Sequence, residues 1–136
     1  MFFYKKIFKQ NPKTFIEINI KENDTDISLY EKYGSFKSDS ISIKQGFKDI
    51  LEESYNNAKY FHKLGDISMD CFLEKHSNIV RQDVSKFMQH IEFRILCGLE
   101  LPSKIQKICF KCEGPELFKK EFESKFNFYN KEKTAI

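Results

Sequence analysis

Two hydrophobic periods are written into one short chain, and the change from one to the other limits its possible folds more than any other feature. Over residues 14–21, TFIEINIK, the apolar Ile16, Ile18 and Ile20 alternate with Glu17, Asn19 and Lys21, the spacing of a strand with one buried face. Over residues 80–95, Val80, Val84, Phe87, Met88, Ile91 and Ile95 recur at steps of three and four, which draws a single stripe along a helix. A sheet with one apolar face and helices with one apolar stripe satisfy each other by packing together.

The remaining segments extend both patterns. FFYKKIF at residues 2–8 has strand composition and is closed by the turn signal Asn11-Pro12. ENDTD is a turn, because Asn and Asp side chains bond their own backbone. Ile27 and Leu29 then resume alternation, so residues 14–33 form a β-hairpin or two strands of a meander. Ser42 and Gln45 have capping-box spacing. They precede a helical stripe of Ile43, Phe47, Ile50, Leu51, Ser54, Ala58 and Phe61 that ends before Gly65. Residues 66–77 suit a short helix after Asp66, and Ser77 or Asn78 can cap the long helix that closes at Gly98. KICFKC at 107–112 alternates again and predicts a returning strand. Gly114-Pro115 opens a last helix with Phe118, Phe122, Phe126 and Tyr129 on one face.

The expected class is α+β: an N-terminal antiparallel hairpin or meander plus one later strand, with three to four helices packed on the sheet. We expect an antiparallel sheet, a single globular domain over residues 1–130 and a polar C-terminal tail over 131–136. A chain of 136 residues is long enough to bury one core without staples.

Several functional classes find no support in the residues. No run approaches eighteen consecutive apolar residues, so no transmembrane helix is expected. MFFYKKIFKQNPK lacks the long apolar core of a secretory signal, so a cytoplasmic chain with four reduced cysteines is expected. Without a glycine-rich loop there is no cradle for nucleotide phosphates. Cys109-x-x-Cys112 is the one metal-like motif, and a closed zinc site would need Cys97 and His90 to join it. His90 and Cys97 stand nearly two helical turns apart, and residues 109 and 112 of a strand point to opposite faces. A redox pair would want these thiols in the first turn of a helix, whereas they precede one. We therefore expect core or half-buried thiols, no metal, no cofactor and no catalytic residues.

Charge suggests how such a chain works. Net charge is +3, yet residues 14–53 hold nine acids and five lysines, while residues 1–13 hold four lysines and no acid. A surface divided in this way favours an oriented charged partner. The expected function is a small non-enzymatic binding protein: a stoichiometric inhibitor or immunity protein that neutralises a toxin or other effector, with a basic surface, in a bacterial or phage conflict system. Its expected partner contacts are Glu22, Asp24, Asp26, Glu31 and Asp39, with Tyr30 and Tyr33 as aromatic anchors. The alternative is a nucleic-acid-binding module using Lys5, Lys6 and Lys9 of the basic aromatic N-terminal segment. Only two of the 23 basic residues are Arg, which weighs against base-specific readout.

Overall fold

The computed structural model describes residues 14–31, 36–101 and 107–134, with side chains over 14–31, 37–101 and 107–126. The strands are β1 (Phe15–Ile20), β2 (Thr25–Glu31), β3 (Phe36–Ile43) and β4 (Lys107–Cys112). The helices are α1 (Phe47–His62), α2 (Met69–Lys75), α3 (Ser77–Gly98) and α4 (Glu116–Thr134). The four strands form one sheet in the order β3-β2-β1-β4. The class is α+β, as the residue pattern predicts. The sheet is mixed rather than wholly antiparallel, because β4 runs parallel to β1.

One face of this sheet is apolar. Ile16, Ile18, Ile20, Ile27, Leu29, Ile43 and Ile108 are all buried and join the helices in one core cluster. From α3 come Val80, Val84, Phe87, Met88, Ile91 and Ile95, every residue of the expected stripe. From α4 come Phe118, Phe122 and Phe126, a stripe at steps of four that stacks Phe122 on Phe110 at 4.4 Å. Each such side chain contributes roughly 1.5–3 kcal/mol when fully buried.

The other face is polar, and its residues fall into cross-strand rows. The first row is Lys37, Tyr30, Phe15, Lys107; the second is Ser40, Ser28, Glu17, Cys109; the third is Ser42, Asp26, Asn19, Lys111. A bulge in β3 opposite the step from Leu29 to Tyr30 separates the first row from the second.

The boundaries differ from expectation in several places. Residues 36–43 are a strand, so Ser42 and Ile43 belong to β3 and the Ser42–Gln45 capping box is not formed. Instead α1 begins after Gly46, whose N–H donates to Asp49 Oδ2 at 3.0 Å. The buried stripe of α1 stops at Ala58; Phe61 is 72% exposed and packs edge-on against Tyr60. Residues 69–75 are helical, but Ser68 rather than Asp66 is the cap, its Oγ accepting from Cys71 N–H at 3.2 Å. That turn is docked by the fully buried Phe72, which lies edge-on to Tyr55, and by a hydrogen bond from Tyr55 Oη to Ile67 O. At the other end of the chain α4 runs to Thr134, so residues 131–134 of the polar terminal segment continue the helix. The expected strand at residues 2–8 lies outside the described residues.

Candidate functional site

Parallel pairing sets Ile20, the last residue of β1, beside Cys112, the last of β4. Both strands therefore discharge their chains at the same end of the sheet. α1 and α4 begin at that end, and between the two exits lies a cleft of about 1130 Å³. Phe47, Phe110 and Phe122 form its apolar lining. Its carboxylates come from two distant segments: Glu22 and Asp24 from the β1–β2 turn, and Glu113 and Glu116 from the β4–α4 corner with Glu123 two turns into α4. Lys21, Lys111 and Lys119 stand among these five carboxylates. The crevice beyond the carboxyl ends of parallel strands is the usual place for a ligand in an open sheet that carries helices.

The turn at this cleft is held tightly. Lys21 N–H donates to Asp24 O at 2.8 Å. Lys21 Nζ lies 2.8 Å from Asp26 and 3.5 Å from Asp24. The hydrogen bond to Asp26, and then the charges of Asp26 and Asp24, raise the Lys21 pKa above its ordinary value. The turn also caps α1. Phe47 N–H donates to Lys21 O at 2.9 Å and Lys48 N–H to Glu22 O at 3.0 Å, while Asn23 Nδ2 donates to Asp49 Oδ1 at 3.1 Å. Such close approach requires glycine at 46: a Cβ there would lie 2.0 Å from Lys21 O and 2.4 Å from the Glu22 carbonyl carbon.

The opposite wall follows similar logic. A Cβ on Gly114 would come within 2.6 Å of the Phe47 ring, so the absence of a side chain lets the β4–α4 corner close over α1. Gly114 N–H donates to Cys112 Sγ at 3.4 Å. Burial raises the Cys112 pKa; the Gly114 N–H opposes this and the Glu113 charge adds to it. Glu113 and Glu116 flank the start of α4, where carboxylates complement the positive end of the helix dipole.

The residues expected to contact a partner do not form one patch. Glu22, Asp24 and Asp26 gather around Lys21 at the cleft end of the sheet. Tyr30 and Glu31 lie at the far end of β2, where Tyr30 stacks on Phe15 at 4.9 Å. Asp39 serves the fold: its two oxygens accept from Ser40 N–H at 2.8 Å and Glu100 N–H at 3.0 Å, tying β3 to the exit of α3. Tyr33, Lys5, Lys6 and Lys9 lie outside the described residues. The sequence offered Glu113, Glu116 and Glu123 only as scattered acids. The β1–β4 register, which the sequence does not display, makes them neighbours of Glu22 and Asp24.

The sulfur and imidazole groups are dispersed. Cys109 is in the second row of the open face, Cys112 packs against the core, and Cys97 is exposed. His90 lines a separate small groove between α1 and α3, with Asn57 and Asp83. Among the described residues, no three His, Cys, Asp or Glu side chains stand close enough to hold a metal ion. No helix there is long and apolar enough to cross a membrane.

No protein-family model and no curated protein matches the chain. Solved structures do. The archaeal actin homolog Ta0583 in complex with ADP has a TM-score of 0.57 at 15% identity, covering 93% of this chain and 50% of that one. The Alp12 filament has a TM-score of 0.60 at 16% identity, covering 86% of this chain and 41% of that one. The PilM–PilN type IV pilus biogenesis complex has a TM-score of 0.57 at 13% identity, covering 93% of this chain and 36% of that one. At such identities the likeness is one of fold. The chain spans half or less of the length of each of these proteins.

Proposed function

We propose that this chain is a non-catalytic protein-binding module that receives a cationic segment of another protein in the cleft at the ends of β1 and β4. The observation that carries this is the convergence of Glu22 and Asp24 with Glu113, Glu116 and Glu123, some ninety residues away, over a lining of three phenylalanines. Carboxylates around an apolar lining suit Lys and Arg side chains, whose long stems pack on aromatic rings while their heads meet the acids. Complementary charge of this kind raises the rate of association and fixes orientation. An inhibitor or immunity protein that neutralises a toxin or effector through its basic surface would use this cleft. Two of the similar structures are themselves protein assemblies, a filament and the PilM–PilN complex.

The start of α1 does not offer a phosphate site for a nucleotide such as the ADP of the archaeal homolog. Helix N-termini hold phosphates through free N–H groups. At α1, however, Gly46, Phe47 and Lys48 already donate to Asp49, Lys21 O and Glu22 O. The carboxylates at the cleft mouth would repel a polyphosphate, and Lys21 is committed to Asp24 and Asp26.

The test is the triple charge reversal Glu22→Lys, Asp24→Lys and Glu113→Lys, paired with an effector encoded in the adjoining reading frame. Wild type should bind the effector with an affinity that falls as salt rises, and should relieve its toxicity in cells. The reversed variant, still folded by circular dichroism, should associate more slowly and lose that protection. Unchanged association and protection would remove the cleft from the account.

A further inference from the structure

The polar face of the sheet holds a second feature, at the end away from the cleft. Its first row places Phe15 and Tyr30 side by side on the two central strands and Lys37 and Lys107 on the two edge strands. The rings stack at 4.9 Å with 14° between their planes. Each thus spends one face on the other, which leaves one face not covered by its ring partner. Both rings are half-buried and both lysines are exposed. Among the described residues neither lysine has an ion-pair partner; Glu31, next to Tyr30, falls by alternation on the opposite face with Ile27 and Leu29, and the nearest carboxylate on the row's own face, Glu17, is held by Lys111 at 3.6 Å. Asp26, four residues from Tyr30 and roughly 13 Å along the strand, is bound to Lys21. The row is therefore locally cationic and aromatic, although the opposite end of the sheet is acidic.

We infer that this row is a binding platform for single-stranded nucleic acid, separate from the acidic cleft and independent of the reading given to it. Unpaired bases stack on aromatic side chains irrespective of sequence, while lysines track the backbone as point charges. A four-stranded sheet with aromatics on its central strands is a proven geometry for stacking two or three bases. Three strand spacings of about 4.8 Å separate Lys37 from Lys107, so a phosphate can be met on either side of the ring pair, roughly 14 Å apart. Tyr30, Lys37, Ser28 and Ser42 also line a shallow depression of about 490 Å³ on the same face; the two carboxylates that share it, Glu17 and Asp26, are paired with Lys111 and Lys21, so a strand has room to lie at its Tyr30–Lys37 end. The scarcity of Arg fits a platform that stacks and neutralises without reading base edges.

The experiment is fluorescence anisotropy of the full chain with labelled oligo(dT) of about 15 nucleotides, against a duplex of equal length. Single strands should bind more tightly than duplex, since stacking needs an exposed base face. Phe15→Ala and Tyr30→Ala should each weaken binding about 5- to 150-fold, the range for losing one base stack. The variant Lys37→Ala with Lys107→Ala touches only exposed side chains and so tests the row without endangering the fold. It should flatten the slope of log affinity against log salt by about 1.4, at roughly 0.7 per phosphate contact on a single strand. The charge-reversed cleft variant should not lose oligonucleotide affinity, since it keeps the row and only adds positive charge. Equal affinity for duplex, or wild-type binding by both the ring and the lysine variants, would overturn the inference. Loss confined to Lys5→Ala, Lys6→Ala and Lys9→Ala would overturn it too.

Discussion

Replacing Gly46 by alanine adds one methyl group and should loosen both the fold and the cleft. The backbone there, at φ −123° and ψ −171°, is extended and open to any residue, so alanine carries no conformational penalty. Its methyl would lie 2.0 Å from Lys21 O and 2.4 Å from the Glu22 carbonyl carbon. Relief requires the β1–β2 turn to back away by more than 1 Å, on the order of the gap to an ordinary contact. Two hydrogen bonds at 2.9 and 3.0 Å, Phe47 N–H to Lys21 O and Lys48 N–H to Glu22 O, then pass out of range. Each contributes about 0.5–1.5 kcal/mol net, and donors stranded away from water cost more. The expected loss is about 2–4 kcal/mol, a large share of the roughly 5–15 kcal/mol that holds a small domain together. Urea unfolding followed by circular dichroism measures it, with an unchanged m-value showing that the folded state is otherwise intact. The poorer N-cap propensity of alanine relative to glycine is by itself worth roughly 0.5–1 kcal/mol. A loss of no more than about 1 kcal/mol would therefore refute the close seating of the turn on α1.

Two further outcomes follow from the same contacts. Asp39→Ala should destabilise by about 0.5–1.5 kcal/mol, because it removes two hydrogen bonds whose donors, Ser40 N–H and Glu100 N–H, stay open to water; it should leave partner binding unchanged, and urea unfolding with a binding assay separates the two. Cys112 should react with a thiol reagent more slowly than the exposed Cys97, which mass spectrometry of partially labelled protein resolves. The folded Cys112 keeps its proton above the ordinary value of 9.0. The unfolded chain gives it up first, so the stability present below about pH 9 should fall as pH rises through the folded value. Cys112→Ala should reduce that alkaline decline.

Much of the fold is legible because packing and pattern coincide. Ile16, Ile18 and Ile20 alternate, and all three are buried; the six apolar residues of the α3 stripe are buried without exception. β3 escapes notice for a physical reason. It is an edge strand with one polar face, FKSDSISI, and its Ile43 also stands four residues from Phe47, in register with the helix that follows. Period alone cannot divide two elements that share a residue in this way. Phe61 misleads differently: it continues the α1 stripe, but the buried part of α1 has ended at Ala58. KICFKC announces a strand through its alternation, yet alternation names neither the neighbour nor the direction of pairing. That missing information also hides the cleft. Asp39 has the same composition as a surface contact, and only the fold shows it spent on Glu100.

The account stands most directly on where a cationic segment lands. Titrating the isotopically labelled protein with a lysine- and arginine-rich peptide, and following backbone amide signals by NMR, locates that place residue by residue. We predict salt-sensitive shifts concentrated in residues 20–24 and 110–123, with little change on β3. Shifts absent from those two segments at low salt, or centred on another face, would contradict the claim that the acidic cleft is the binding site.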